Sequence, residues 1–167
     1  MWQNSLHKPT IFKMKNFSDL PDHSRIWIYQ SPRVLTNAEV KTIKESAIPF
    51  LIDWTSHKQS MDAALEVFHD RFVVIAVDES TAPASGCGID SSVNFIKTLS
   101  QLLKTDFLDR ATVYYKNSDQ IESVLFSKLP TTNIQHPTLV FNNLITTLGE
   151  LKSSWLVPAS ASWHSKY

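Results

Sequence analysis

The stretch ALEVFHDRFVVIAV, residues 64–77, decides the fold of this 167-residue chain. Two runs rich in strand-forming residues, 64–68 and 72–77, flank the polar sequence His69-Asp70-Arg71. β-Branched and aromatic residues favour strands, and a short polar interruption between two such runs favours a turn. The stretch therefore predicts a β-hairpin, although the Asn-Gly or Asp-Gly pair typical of tight hairpin turns is missing.

A strand and a helix are predicted before this hairpin. RIWIYQ, residues 25–30, alternates apolar with polar positions and ends at Ser31-Pro32. Thr36 and Glu39 have the spacing of a capping box, and apolar residues follow at helical spacing up to Trp54. Pro49 is expected to kink this helix or to end its first half.

A second helix and a further strand are predicted after the hairpin. Residues 78–88 form a loop, Asp90 is the expected N-cap of a helix, and residues 111–115 form a strand. The order strand, helix, strand, strand, helix, strand predicts a ferredoxin-like βαββαβ α+β core. One antiparallel sheet would carry both helices on one face. The alternative is another α+β sandwich with a different strand order.

The remaining sequence predicts additions to this core. Residues 120–124 complete a hairpin, 125–129 form one helical turn and 138–141 form a strand. Thr147 and Glu150 predict a second capping box and a short helix, followed by an extended tail over 157–167. Residues 25–167 are predicted as one domain, and residues 1–24 as a loosely ordered extension in which Met14 is an alternative start to Met1.

Composition and charge exclude several classes of protein. Hydrophobic residues make up 43% and charged residues 19% of the chain, which is a globular composition. Sixteen basic residues balance sixteen acidic ones, so the chain lacks the excess positive charge typical of nucleic-acid-binding proteins. No apolar run approaches the ~18 residues of a membrane span, and one cysteine cannot form an internal disulfide. The prediction is a cytoplasmic protein without a nucleic-acid or membrane partner.

The only cysteine lies in a glycine-flanked loop before the second predicted helix. Two of the three glycines stand in Ser85-Gly86-Cys87-Gly88, where they would give the backbone freedom or allow close approach to a ligand. A helix N-terminus favours the thiolate, whereas nearby Asp90 opposes it. Either Cys87 is a nucleophile or it is a small side chain that fills a crowded turn.

The same loop has a second interpretation, as an anion site made from the backbone N–H groups of residues 86–88. Ser85, Asp90 and Ser91 would add polar side chains. No basic residue lies between Arg71 and Lys97, and the phosphate-loop pattern is missing, so the thiol interpretation ranks higher. A nucleophile needs a base, and the candidates are the histidines at positions 57, 69, 136 and 164.

Three further groups are candidate ligand-binding residues. Asp78 and Glu79 end an apolar strand, and Asn142 and Asn143 end another. Each pair either binds a ligand or satisfies a turn. Trp163 and His164 line a groove, make a homodimer contact or pack over the sheet. Histidine and cysteine spacings match no metal motif, and the sequence indicates no cofactor.

Several segments of this chain look like those of a family of small bacterial proteins without assigned function. The resemblance covers roughly residues 25–164 and rests on five segments: WIYQS (27–31), AVDES (76–80), SGCGIDSS (85–92), FNNL (141–144) and SWH (162–164). Members are sometimes labelled automatically as ABC transporter ATPases. This chain has no Walker A motif, and SGCG only superficially echoes the transporter signature. The resemblance implies no catalytic residue.

Three functions follow as hypotheses from the sequence. The first is a binding or interaction module that uses the Cys87 loop and the C-terminal aromatic segment. The second is a thiol-dependent enzyme with Cys87 as nucleophile and a histidine such as His164 as base. The third is nucleotide binding, which lacks a recognisable phosphate site.

Overall fold

The computed structural model describes residues 15–56, 59–131 and 138–166. Short 3-10 turns connect several of the regular elements in this part of the chain. The α-helices are α1 (Asn37–Asp53), α2 (Gly86–Leu103) and α3 (Leu148–Ser154). The strands are β1 (Arg25–Gln30), β2 (Thr55–Ser56), β3 (Gln59–Ser60), β4 (Asp62–Phe68), β5 (Phe72–Asp78), β6 (Thr112–Asn117), β7 (Gln120–Leu125), β8 (Leu139–Phe141) and β9 (Leu156–Pro158).

The predicted hairpin is confirmed and forms two thirds of a central sheet. β4 and β5 pair antiparallel through Phe68↔Phe72, and β1 pairs with the other edge of β5, so the strand order is β1-β5-β4. His69 and Asp70 both have positive φ, 53° and 48°. These two residues therefore adopt the left-handed conformation that Asn and Gly usually supply in tight hairpins.

The central strand β5 is buried on both faces, which explains its continuous apolar sequence. Val73, Ile75 and Val77 face one hydrophobic core, which also holds the apolar faces of α1 and α2. Phe72 and Val74 face a second core. Both helices therefore cover one face of the central sheet, as the sequence predicts.

The second core lies between the central sheet and a second layer. This layer consists of α3 and an antiparallel sheet of order β7-β6-β8-β9. This layer packs onto the face of the central sheet that carries Phe72 and Val74, which we call the even-numbered face; the other is the odd-numbered face. The contacting side chains are Tyr114 of β6, Phe141 of β8, Leu148 of α3, and Trp155 at the end of α3. The chain is thus an α+β protein with layers in the order helices, sheet, and sheet with helix.

The ferredoxin-like strand order is not confirmed. That order requires the strand after the second helix to join the first sheet beside the first strand. Here β6 pairs on both sides within the second sheet, with β7 and β8. The open edge of β1 instead meets residues 146–147, where the Ile26 N–H donates to the Thr146 carbonyl at 2.9 Å.

Both predicted capping boxes are confirmed, at Thr36/Glu39 before α1 and at Thr147/Glu150 before α3. The predicted start of α2 is wrong. Ser85, and not Asp90, is the N-cap: its hydroxyl accepts the Gly88 N–H at 3.2 Å. Helix α1 does not end at Pro49 but continues to Asp53. The tail also differs from the extended prediction, because 3-10 turns follow β9.

Part of the predicted N-terminal extension is packed onto the domain. Leu20 and Ser24 are buried, and the N–H of Gly149 in α3 donates to the Asp22 carbonyl at 2.8 Å. A Cβ at Gly149 would lie only 3.2 Å from Asp22, so a larger residue would require Asp22 to move by a few tenths of an ångström. Residues 1–14, including both candidate starts, lie outside the described residues.

Candidate functional site

The Cys87 loop is the first turn of α2. Gly86, Cys87 and Gly88 are its first three residues, and Trp54 anchors this turn by donating its indole N–H to the Gly88 carbonyl at 2.8 Å. None of the described glycines has positive φ, and a Cβ at Gly86 would meet nothing within 4 Å. The conformational freedom expected of these glycines is therefore not used in this structure.

Cys87 is exposed at this helix start. Its carbonyl accepts the Ser91 hydroxyl at 2.9 Å, and Asp90 lies exposed on the same helix. The predicted base candidates His57 and His136 lie outside the described residues. His69 lies in the β4–β5 turn, where its ring packs edge-on against Phe72.

Asp78 and Glu79 accept hydrogen bonds within the loop that leads into α2. The Asp78 carboxylate accepts the N–H and hydroxyl of Ser80 at 3.0 and 2.5 Å, and lies 3.2 Å from His23 Nε2. The Ser80 hydrogen bonds, the largest influence, lower the Asp78 pKa. Glu79 accepts the Ala84 N–H at 2.8 Å. Both side chains therefore make hydrogen bonds within this loop, and ligand binding by the pair stays a prediction.

Asn143 belongs to a hydrogen-bond network that joins the two layers. Its Nδ2 donates to Gln30 Oε1 at 2.9 Å, and its Oδ1 accepts the Trp155 indole N–H at 2.8 Å. Gln30 Nε2 donates to the carbonyls of Asp109 and Thr112 at 3.1 and 2.8 Å. Sequence analysis missed Gln30, because a polar residue at a strand end carries no signal for a distant partner.

Asn142 forms a local turn instead. Its Oδ1 accepts the Leu144 N–H at 3.3 Å, and its own N–H donates to the Trp155 carbonyl at 2.7 Å. Both asparagines predicted as ligand-binding residues thus make hydrogen bonds within the chain.

Trp163 and His164 lie in the C-terminal segment, which we define as residues 159–166. Their rings stack with centroids 3.7 Å apart, and Trp163 also contacts the ring of Phe126. His164 is buried, with 5% of its surface exposed. Its Nδ1 lies 2.8 Å from the Ser162 hydroxyl. The aromatic pair therefore packs against its own chain, and a homodimer contact stays a prediction.

His164 is held neutral, and one of its ring nitrogens has no hydrogen-bond partner within residues 15–56, 59–131 and 138–166. Burial lowers its pKa to about 4, so the ring is uncharged at pH 7. Its Nε2 is shielded from solvent and has no hydrogen-bond partner among the described residues. Whichever tautomer is present, this nitrogen offers either an N–H or a lone pair. An unsatisfied buried polar atom costs about 1–3 kcal/mol, so a hydrogen bond from a bound molecule to Nε2 would be favourable.

His164 borders a cavity of about 390 Å³ between the C-terminal segment and the second layer, which we call the tail cavity. Its walls are mainly apolar or aromatic: Ile28, Val113, Tyr114, Phe126, Phe141 and Trp163. Polar groups at its margin come from Gln30, Asp109, Arg110, Thr112, Asn143 and His164. Apolar walls with a few convergent polar groups are the usual composition of a small-molecule site.

A larger groove of about 740 Å³ runs beside β4, between α1 and α3; we call it the edge groove. Three of its lysines, Lys15, Lys44 and Lys152, are already paired with carboxylates at 2.6–2.7 Å. The Glu66 carboxylate also accepts the Val67 N–H at 2.8 Å. The edge groove is larger, but each of its three lysines already has a carboxylate partner, so we favour the tail cavity as the binding site.

The structure does not bring Cys87 and His164 together. The chain enters helix α2 after leaving β5 near Val77, which pairs with Arg25 at the start of β1. Helix α2 covers the face of the central sheet that carries Val73, Ile75 and Val77. The tail cavity borders Gln30, at the opposite end of β1, and Phe141 on the other face. At roughly 3.3 Å per strand residue, the two ends of β1 are about 16 Å apart.

Arg110 and Thr112 are further tail-cavity residues that the sequence did not single out. Neither lies in a motif, and only the folding of the segment before β6 against β1 places them at the margin. Within residues 15–56, 59–131 and 138–166, no group of three or more metal-ligating side chains is found. No helix in the same ranges is long and apolar enough to cross a membrane.

Three comparisons test whether the chain is similar to known proteins. No protein-family model, no curated protein and no solved structure matches it. The resemblance to the family of small bacterial proteins therefore stays a prediction, and the argument for function rests on the geometry of the tail cavity.

Proposed function

We propose that this protein is a binding module that holds a small, largely apolar molecule in the tail cavity. The observation that carries this proposal is the position of His164 beside an apolar cavity, with no hydrogen-bond partner for Nε2 in the part of the chain that the structure describes. A molecule held in the cavity lies next to this ring and can supply the missing partner. The aromatic rings of Phe126 and Trp163 would cover its apolar surface.

The proposal develops the first hypothesis drawn from the sequence. The C-terminal aromatic segment supplies the cavity wall, and the Cys87 loop lies elsewhere. Because the hydrogen-bond network of Gln30 and Asn143 already fixes one side of the cavity, a ligand would bind to a largely preformed site. Preformed sites lose little conformational entropy on binding.

The neutral aromatic probe 2-naphthol tests this function. We expect it to bind with a Kd of roughly 10 μM to 1 mM, the range for a ligand of this size. Val113→Phe places extra side-chain volume in the cavity and should weaken binding at least about tenfold, which corresponds to 1.4 kcal/mol. Val34→Phe is the matched control, because Val34 is 60% exposed and does not line the cavity.

Titration calorimetry measures the affinities, and urea unfolding checks that both variants fold. Should Val113→Phe fail to fold, the NMR shift of the Trp163 indole N–H in the unsubstituted protein replaces it, with the Trp27 indole as reference. The proposal would be overturned if 2-naphthol did not bind, or if both variants lost the same amount of binding affinity. A response at Trp27 without one at Trp163 would do the same.

Thiol chemistry at Cys87 is the second candidate function, and the exposure of Cys87 at the first turn of α2 favours it. A helix N-terminus attracts negative charge, and exposed thiols at such positions are often reactive. The structure supplies no described base beside it, so any activation must come from the helix start itself.

Alkylation by iodoacetamide tests this candidate. If Cys87 is an activated nucleophile, the native protein at pH 7 should react at least about tenfold faster than the urea-unfolded chain. Cys87→Ser gives the blank, because the chain has no other cysteine. An alkylation rate in the native protein equal to or below that of the unfolded chain would contradict the enzyme hypothesis. Cys87 would then be an exposed thiol without enhanced reactivity.

A further inference from the structure

The charges around the tail cavity point to the class of molecule it holds. Arg110 lines the cavity, is exposed and forms no ion pair within 4.0 Å with any described carboxylate. Its guanidinium carbon lies 5.9 Å from the centre of the Tyr29 ring. This contact orients the side chain but leaves its charge uncompensated, since an aromatic ring carries no net charge.

Among the described residues, Asp109 is the only carboxylate in the cavity lining, and it accepts hydrogen bonds within its own turn. One oxygen accepts the Ala111 N–H at 2.7 Å, and the other accepts the Thr112 hydroxyl. Asp109 therefore has its hydrogen-bonding capacity partly filled by neighbours. Arg110, by contrast, retains N–H donors for an outside acceptor, and a guanidinium binds a carboxylate through two parallel hydrogen bonds.

The remaining polar side chains at the margin are satisfied within the protein. Gln30 and Asn143 bond to each other and to neighbouring groups, and the Tyr114 hydroxyl donates to the Ser31 carbonyl at 2.9 Å. The groups left for a ligand among the described lining residues are thus the Arg110 guanidinium and the imidazole of His164. The other lining residues include aromatic and aliphatic side chains.

From this arrangement we propose that the tail cavity selects a small organic acid: an apolar, aromatic or aliphatic body with one carboxylate. The carboxylate binds Arg110, and the apolar body lies against Val113, Phe126 and Trp163. This inference rests on the proposed function and adds the charge of the ligand. Inorganic anions alone would not fill the apolar part of the cavity.

Three probes with the same ring system separate the charge from the shape: 2-naphthoate, 2-naphthamide and 2-naphthylmethylamine. At pH 7 and low salt we expect 2-naphthoate to bind at least about fivefold more tightly than the amide, and the amine to bind most weakly. Arg110→Gln should bring the affinity for 2-naphthoate down to that for the amide, which abolishes the preference for the acid. Arg25→Gln is the matched control, since Arg25 lies outside the cavity lining.

The outcomes separate this inference from the proposed function. Equal affinities for the acid and the amide would overturn the inference and leave the cavity as a neutral binding site. Tightest binding of the amine would overturn it too, and would assign the dominant charge to Asp109. A preference for the acid that survives in Arg110→Gln also contradicts it. Failure of all three probes to bind would overturn both proposals.

Discussion

Phe72→Ala is expected to lower the free energy of unfolding by about 3–5 kcal/mol, the usual cost of removing a fully buried phenylalanine. Phe72 has no exposed surface. Its ring contacts those of Tyr114, Phe141 and Trp155, with centroids 4.7–5.5 Å apart. The substitution removes the side chain that joins the central sheet to β6, β8 and the end of α3. Urea unfolding followed by circular dichroism measures the loss.

Leu102→Ala is the control for this substitution. Leu102 lies on α2 and is 56% exposed, so its truncation should change stability by less than about 0.5 kcal/mol. A loss below about 1 kcal/mol for Phe72→Ala would mean that the second layer does not pack on this ring. The layered architecture, and the tail cavity that depends on it, would then be incorrect.

Acidification from pH 7 to about pH 4.5 is expected to destabilise the protein through His164. Its pKa is about 4 in the folded state, because burial disfavours the charged ring, and about 6.5 in the unfolded chain. Between these values the unfolded state binds more protons, so stability falls as the pH drops below about 6.5. The full shift corresponds to about 3 kcal/mol, reached only as the pH approaches 4.

His164→Gln should flatten this part of the stability profile. Glutamine does not titrate, so its urea midpoint should change less between pH 7 and 4.5 than that of the unsubstituted protein. His69→Gln is the comparison variant: burial also lowers the His69 pKa, so this substitution should flatten the profile too, but less than His164→Gln. The lowered pKa values of Asp78 and Glu150 also make the protein less stable on acidification. Their effect comes at lower pH, where these carboxylates become protonated in the unfolded chain. An unaltered profile in His164→Gln would contradict the buried, neutral imidazole.

Local patterns account for the part of the fold that the sequence predicted. The apolar run of β5 and the Thr36/Glu39 box depend on neighbours within a few residues, so their signals are visible in the sequence. Ser85 and Asp90 are both good N-caps, and the poor helix propensity of the intervening glycines favoured the later start. Helix α2 nevertheless begins at Gly86, where the Trp54 indole holds its first turn.

Long-range pairing explains what the sequence did not predict. β6 pairs with β8, which is more than twenty residues away in the sequence, and not with β1. Nothing in the sequence of either strand indicates that the two should pair. The tail cavity depends on the same pairing. Trp163 and His164 were recognised as candidates from their chemistry, but Arg110 and Thr112 acquire a role only once the two layers meet.

Intermolecular NOE measurements on the protein with bound 2-naphthol test the central claim most directly. The account predicts contacts from the naphthyl protons to the methyl groups of Val113 and to the ring of Trp163. The edge groove would instead give contacts to Ile48 and Leu51 of α1. Contacts to those two residues, without any to Val113 or Trp163, would contradict the assignment of the tail cavity as the binding site.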